Sequence, residues 1–169
     1  ALRDALDVGS SIMFVCDEAT GDMRRLVGVS PNFDAGALAD YRAYYHGVNP
    51  WYHRGRRFGV PATVVGEELI REAEFLKTEF AADFCRRLGI RHTTGSIRRI
   101  APGVVVGTGL HRTPCQGAFD LEHRRLHGLL ADNLARALGV ADRLGVLRGQ
   151  RTAGLETLHA LGVGIALLD

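Results

Sequence analysis

Apolar and β-prone residues come in short runs along most of the chain, and the spacing then turns helical. The runs Ser11–Asp17 and Met23–Val29, separated by Ala19-Thr20-Gly21-Asp22, predict two strands joined as a hairpin. Pro31-Asn32-Phe33-Asp34 interrupts the pattern, and Asp34 can cap a helix from Ala35 to about Tyr45. Gly47–Arg57 reads as a loop rich in aromatics. A short strand near Ala62–Val65 precedes one helix opened by Glu67 or Glu68 and another opened by Lys77 or Thr78, which runs to Leu88 with Gly89 as its C-cap. Two longer strands, Arg91–Ile100 and Gly103–His111, flank the compact turn Ala101-Pro102-Gly103 and predict a second antiparallel hairpin.

From Asp120 onward the period is that of a helix. Leu126, Leu130, Leu134, Ala137, Val140, Leu144, Leu147, Leu155 and Leu158 step mostly by three or four and make one face apolar. Arg124, Arg125, Asp132, Arg136, Asp142, Arg143, Arg148 and Arg151 occupy the opposite, solvated face. Asp120 is a capping residue, and Phe119 can staple the entry. Gly139, Gly145, Gly149 and Gly154 each cost about 1 kcal/mol relative to Ala. Packing must therefore hold this helix, and a break is allowed. A dimer seam through Leu126, Leu130, Leu134, Ala137 and Leu144 is as compatible with the pattern as two helices packed on their own domain. Gly162-Val163-Gly164-Ile165-Ala166-Leu167-Leu168-Asp169 then reads as the start of another strand.

The sum is an α+β architecture, a mostly antiparallel sheet of about five strands flanked by helices, with a long C-terminal connector helix. The expected divisions are 1–119 for the sheet-bearing domain, 120–161 for the connector and 162–169 for the opening of a second unit. The sequence is thus expected to belong to a longer polypeptide, and Ala1-Leu2-Arg3-Asp4-Ala5-Leu6 already reads as the last turns of a helix.

Composition narrows the function classes. The chain has 169 residues and 46% hydrophobic content, enough for one substantial core. It carries no apolar run of membrane-spanning length and no signal-peptide pattern, so a cytoplasmic setting without membrane contact is expected. A net charge of +2 gives no electrostatic case for nucleic-acid binding by this segment. Cys16, Cys85 and Cys115 form neither a disulfide framework nor a metal clip. Cys16 and Cys85 lie in apolar elements and read as core, which leaves Cys115 as the one candidate for thiol chemistry.

Several motifs together resemble the sensory region of bacterial regulators with a LuxR-type helix-turn-helix, which is built on a GAF-like or PAS-like fold. They are Tyr41-Arg42-Ala43-Tyr44-Tyr45-His46-Gly47-Val48-Asn49-Pro50-Trp51, the stretch Phe75–Ile90, Gly107-Thr108-Gly109-Leu110-His111-Arg112, and Phe119-Asp120 at the helix start. The resemblance implies that the connector leads to a PAS-like unit and then to a DNA-binding domain outside this sequence. A narrower resemblance, to acyl-homoserine-lactone sensors, rests on Tyr41, Tyr45, Asn49 and Pro50. Those sensors place an Asp before the Pro to bind the ligand amide. Asn49 can hydrogen-bond an amide but offers no carboxylate.

The same residues suit a small-molecule pocket on physical grounds. Two of Tyr41, Tyr44 and Tyr45 share a helix face, with Trp51 and Tyr52 just beyond Pro50. Rings with polar tips supply apolar area and a hydrogen bond together. The candidate ligand-binding set is Tyr41, Tyr45, Asn49, Trp51, Tyr52, Phe80 and Phe84. The simpler alternative is that these rings close one end of the sheet. His123 and His127 have metal-compatible spacing but no further ligand, and a solvated helix pair is the expectation. No acid, base or nucleophile set assembles, no metal or cofactor site is expected, and Gly103–Gly109 lacks the Lys and helix of a phosphate loop.

The expected function is a noncatalytic domain that senses a small molecule or relays a signal, forms a homodimer, and touches DNA only through another domain. The alternatives are a structural dimerisation module without ligand and the sensor of a signalling kinase or cyclase.

Overall fold

The computed structural model describes residues 6–160, with side chains described for residues 6–144. The expected strand over 162–169 lies outside the described residues. The chain divides into two units, Ala1–Ala135 and Arg136–Asp169. The first holds a sheet of five strands, β1 (Ser10–Asp17), β2 (Met23–Val29), β3 (Ala62–Val65), β4 (His92–Ala101) and β5 (Val104–Arg112), in the order β2-β1-β5-β4-β3. Every pairing is antiparallel. The two expected hairpins are therefore its building blocks, and they join where the central strand β5 pairs with β1 over Ser10↔His111 to Asp17↔Val104.

Between β2 and β3 the chain winds through helical turns. The helix α1 (Ala35–Asp40) is capped by Asp34, whose carboxylate accepts from the Ala37 amide at 2.6 Å. It passes into a π-helical turn, Tyr41–Tyr45, and a short turn at His46–Val48. The segment expected to be loop contains a helix, α2 (Pro50–Gly55). Asn49 caps it, accepting from the Trp51 and Tyr52 amides at 3.0 and 3.2 Å, and Pro50 fills a first-turn position that needs no N–H.

After β3 come α3 (Gly66–Leu69), where Glu68 accepts from the Val65 amide, and α4 (Glu72–Phe75). The helix expected from Lys77 or Thr78 to Leu88 is a second π-helical turn, Phe80–Cys85. Thr78 does start it, its hydroxyl accepting from the Ala81 amide, and Gly89 adopts the positive φ expected of a terminating glycine.

The long helix α5 (Leu121–Ala160) begins at the expected cap, with the Asp120 carboxylate accepting from the His123 amide at 2.9 Å and from its ring Nδ1 at 2.6 Å. Arg112 anchors this start. It donates to the Leu6, Asp7 and Ala118 carbonyls and lies over the Phe119 ring at 4.3 Å.

Within the first unit α5 packs on the sheet through small residues and His127 rather than through the leucine stripe. His127, Ala131 and Ala135 are buried, whereas Leu126 and Leu129 are exposed and Leu134 is half-buried; Ala137, in the second unit, is exposed. Small residues let the helix come close to the sheet, while Leu130 turns into a cluster with Leu6, Val65, Leu110 and Phe119. Leu144, in the second unit, is likewise exposed. The solvated His123–His127 pair is corrected. His127 has no exposed surface, and its ring bridges the Thr94 hydroxyl at Nδ1 (3.1 Å) and the Thr108 hydroxyl at Nε2 (2.8 Å).

No described helix is long and apolar enough to cross a membrane.

Candidate functional site

Side chains alternate across a sheet, so β4 and β5 serve two faces. Thr94 and Thr108 point toward His127 on α5. Thr93, Gly95, Gly107, Gly109 and His111 belong to the other face, where they line a cavity of about 90 Å³. A single water needs on the order of 10–15 Å³, so the space is several times larger than a trapped solvent site.

The roof of the cavity is aromatic. Tyr41, Asn49, Trp51, Tyr52, Phe80 and Phe84 all line it, joined by Phe14 and Phe33. The two π-helical turns bring their rings together: Tyr41 lies 5.4 Å from Phe84, and Phe80 stacks on Phe84 at 5.4 Å. Trp51 stacks on Phe75 at 4.2 Å, which fixes the indole beside the cavity. Tyr45 is the exception in the expected set. It packs behind the wall, 4.8 Å from Phe84, and does not line the space. Tyr44 is half exposed and donates to Glu79.

The floor is the part that sequence reasoning missed. Gly95 and Gly109 are direct partners across β4 and β5, and Ile12 pairs with Gly109 from β1. A Cβ at Gly95 would meet no atom within 4 Å, so this position opens on empty space. Gly107 differs, because the Phe14 ring lies over it and a Cβ there would come within 2.6 Å of that ring. Glycine weakens a strand interior, and it commonly marks a place where something approaches the backbone closely. The sequence signal was the run Gly107-Thr108-Gly109, which is legible only once its register against Gly95 is known.

The polar groups of the wall are few. Asn49 uses its carbonyl to cap α2 and donates its amide to the Tyr41 hydroxyl at 3.1 Å, so it acts first as a structural clasp. Burial raises the Tyr41 pKa above that of an ordinary phenol, so the hydroxyl keeps its proton. Tyr52 donates to the Gly21 carbonyl at 2.7 Å. His46 donates through Nε2 to the same carbonyl, which leaves its buried Nδ1 without a partner among the described residues.

His111 is 8% exposed, and burial lowers its pKa to about 4, so it is neutral at physiological pH. The one charged lining residue is Arg56. Its guanidinium is committed to the Glu18, Ala19 and Thr20 carbonyls of the β1–β2 turn. Cys85 also lines the cavity, and burial pushes its thiol well above the usual range. Cys16 is buried, whereas Cys115 is exposed.

The five-stranded antiparallel sheet, its helical roof and the long C-terminal helix make a GAF-like fold. No family model matches the chain, and no curated protein does. Among solved structures, the ligand-binding domain of VqsR from Pseudomonas aeruginosa aligns with a TM-score of 0.63 at 13% identity, over 82% of this chain and 79% of that one. The GAF3 domain of Slr1393 from Synechocystis, in its photoproduct state, aligns with a TM-score of 0.55 at 16% identity, over 86% of this chain and 91% of that one. SdiA in complex with octanoyl-rac-glycerol gives a TM-score of 0.54 at 13% identity, over 96% of this chain and 73% of that one. At these identities the likeness is one of fold.

Proposed function

We propose that this chain is a noncatalytic sensing domain that holds a small, uncharged organic molecule between the glycine floor and the aromatic roof. The observation that carries this reading is the open position at Gly95 beneath Tyr41, Trp51, Phe80 and Phe84. A core built only for stability would place a side chain there. The charge of the ligand follows from the wall. An ionised group would be buried without a free counter-charge, because Arg56 is already spent on backbone carbonyls.

The signal leaves through β4 and β5. A ligand that prefers one placement of these strands shifts Thr94 and Thr108, and with them the seat of His127 on α5. The chain serves as the sensory part of a cytoplasmic transcriptional regulator of LuxR type. It pairs as a homodimer along α5 and reaches DNA through a domain outside this sequence.

A thermal-shift screen of neutral metabolites, lactones and acylglycerols tests the reading, with Gly95→Leu as control. Stabilisation of the wild type that is lost in Gly95→Leu supports it. A folded protein that no compound stabilises overturns it, in favour of a structural interaction module.

A further inference from the structure

His111 is buried against Ser10, Phe33 and Trp51, and its two ring nitrogens have different surroundings. Nδ1 lies 3.2 Å from the Ser10 hydroxyl. Nε2 lies over Gly109, 3.1 Å from where a Cβ would stand, and it has no hydrogen-bond partner among the described residues. Unlike His46 Nδ1, it is not sealed among protein atoms, because His111 lines the cavity.

The proton can be placed by satisfaction of the pair. Ser10 is 4% exposed, and its hydroxyl has no partner other than His111. If the serine donates to Nδ1, only the Nε2–H remains unpaired, and it faces the cavity. If Nδ1–H donated to the serine, the buried hydroxyl proton would be stranded as well, leaving two groups unsatisfied rather than one. The first arrangement is therefore favoured. It leaves a fixed N–H donor at the cavity surface, and Tyr41, which accepts from Asn49, retains a hydroxyl proton to donate.

We propose that His111 is the specificity-determining contact of this cavity, its Nε2–H donating to the carbonyl oxygen of an uncharged, otherwise apolar ligand. The inference rests on the cavity being a ligand site. Neutral imidazole suits the task, since it adds a directed donor without bringing a charge into an apolar wall. The His111 and Tyr41 donors call for an acceptor on the ligand, which a carbonyl oxygen supplies without bringing a donor of its own into the apolar wall.

The test uses two probes of one shape, acetophenone and α-methylstyrene, which differ by a carbonyl oxygen in place of a methylene. Trp51 is the only tryptophan, so its indole N–H resonance reports cavity occupancy without assignment. The wild type should bind acetophenone about tenfold more tightly than α-methylstyrene, the scale of one neutral hydrogen bond. His111→Phe should bind both alike, with α-methylstyrene affinity unchanged. In the wild type the His111 Nε2 nitrogen resonance should move with acetophenone and stay with α-methylstyrene, a readout that does not depend on the variant folding. Equal binding of both probes by the wild type, or a preference that survives in His111→Phe, overturns the role of His111 and leaves the ligand site standing. Binding of neither probe overturns both.

Discussion

His127 accepts and donates across the back of the sheet, its Nε2 lying 2.8 Å from the Thr108 hydroxyl on β5. With Thr94 on the other nitrogen, the ring is held by two adjacent strands at once. Desolvation, helped by the nearby charge of Arg98 and by His111, lowers its pKa to about 3. In the unfolded chain a histidine titrates near 6.5. For both His127 and His111 the folded value is depressed, so the unfolded state binds more protons between the two values. Stability is therefore full above about pH 6.5 and falls as the pH drops toward 4 and then 3. The full loss is on the order of 3 kcal/mol for His111 and about 5 kcal/mol for His127. Urea unfolding across pH 4–8 should show this slope, and His127→Leu should flatten it. A profile with no slope between pH 5 and 6.5 would count against both burials.

Two glycines of one strand pair should respond in opposite senses. Gly95→Val adds β-propensity where a Cβ meets nothing, and should change stability by about +0.5 to +1 kcal/mol. Gly107→Ala drives a Cβ into the Phe14 ring, which is itself confined by His46 and Tyr52, and should cost about 1–3 kcal/mol. Chemical denaturation of the two variants separates a vacant floor from a filled one.

The clasp at Asn49 makes a similar distinction between roles. Asn49→Ala removes the α2 cap and the bond to Tyr41 together, and should cost about 2 kcal/mol. Asn49→Asp keeps the cap and should recover most of that loss. Tyr45→Ala, behind the wall, should cost about 3 kcal/mol in stability while leaving the probe preference unchanged.

Thiol accessibility offers a quick check on the core. Of the three cysteines, a colourless thiol reagent should modify Cys115 in the native protein within minutes, and Cys16 and Cys85 only on unfolding. Rapid reaction of all three would mean that the packing around the cavity is wrong.

The exposed face of α5 carries the dimer reading. Leu126→Glu with Leu144→Glu should leave the circular dichroism spectrum intact and shift the sedimentation coefficient from dimer to monomer. A wild type that sediments as a monomer at every concentration would remove the seam.

The strands were legible because turn residues bracket them: Ala19–Asp22 and Ala101-Pro102-Gly103 placed both hairpins within a residue or two of where they lie. Six of the seven candidate site residues also converge, since aromatic spacing and the Asn49-Pro50 pair are local signals. The floor was not legible. Its key neighbours, Gly95 with Gly109 and Ser10 with His111, meet only through pairing between distant strands. The side of α5 that packs on the sheet was left open by the pattern, which fits a dimer seam and own-domain packing alike. Hydrophobicity points leucines inward, but close approach to a sheet favours Ala131, Ala135 and a hydrogen-bonded His127. Nothing in the local sequence marks the two π-helical turns.

The pleat of β4 and β5 has an evolutionary corollary. Thr93 and Thr94 are neighbours in the chain, yet one belongs to the cavity and the other to the seat of α5. A lineage that reshapes this cavity for a new compound must accept whatever its altered strands do to the helix on the far side. On the proposed reading, recognition and response are inherited as one trait, and ligand preference drifts quickly only at the aromatic roof, where side chains change without moving the shared strands.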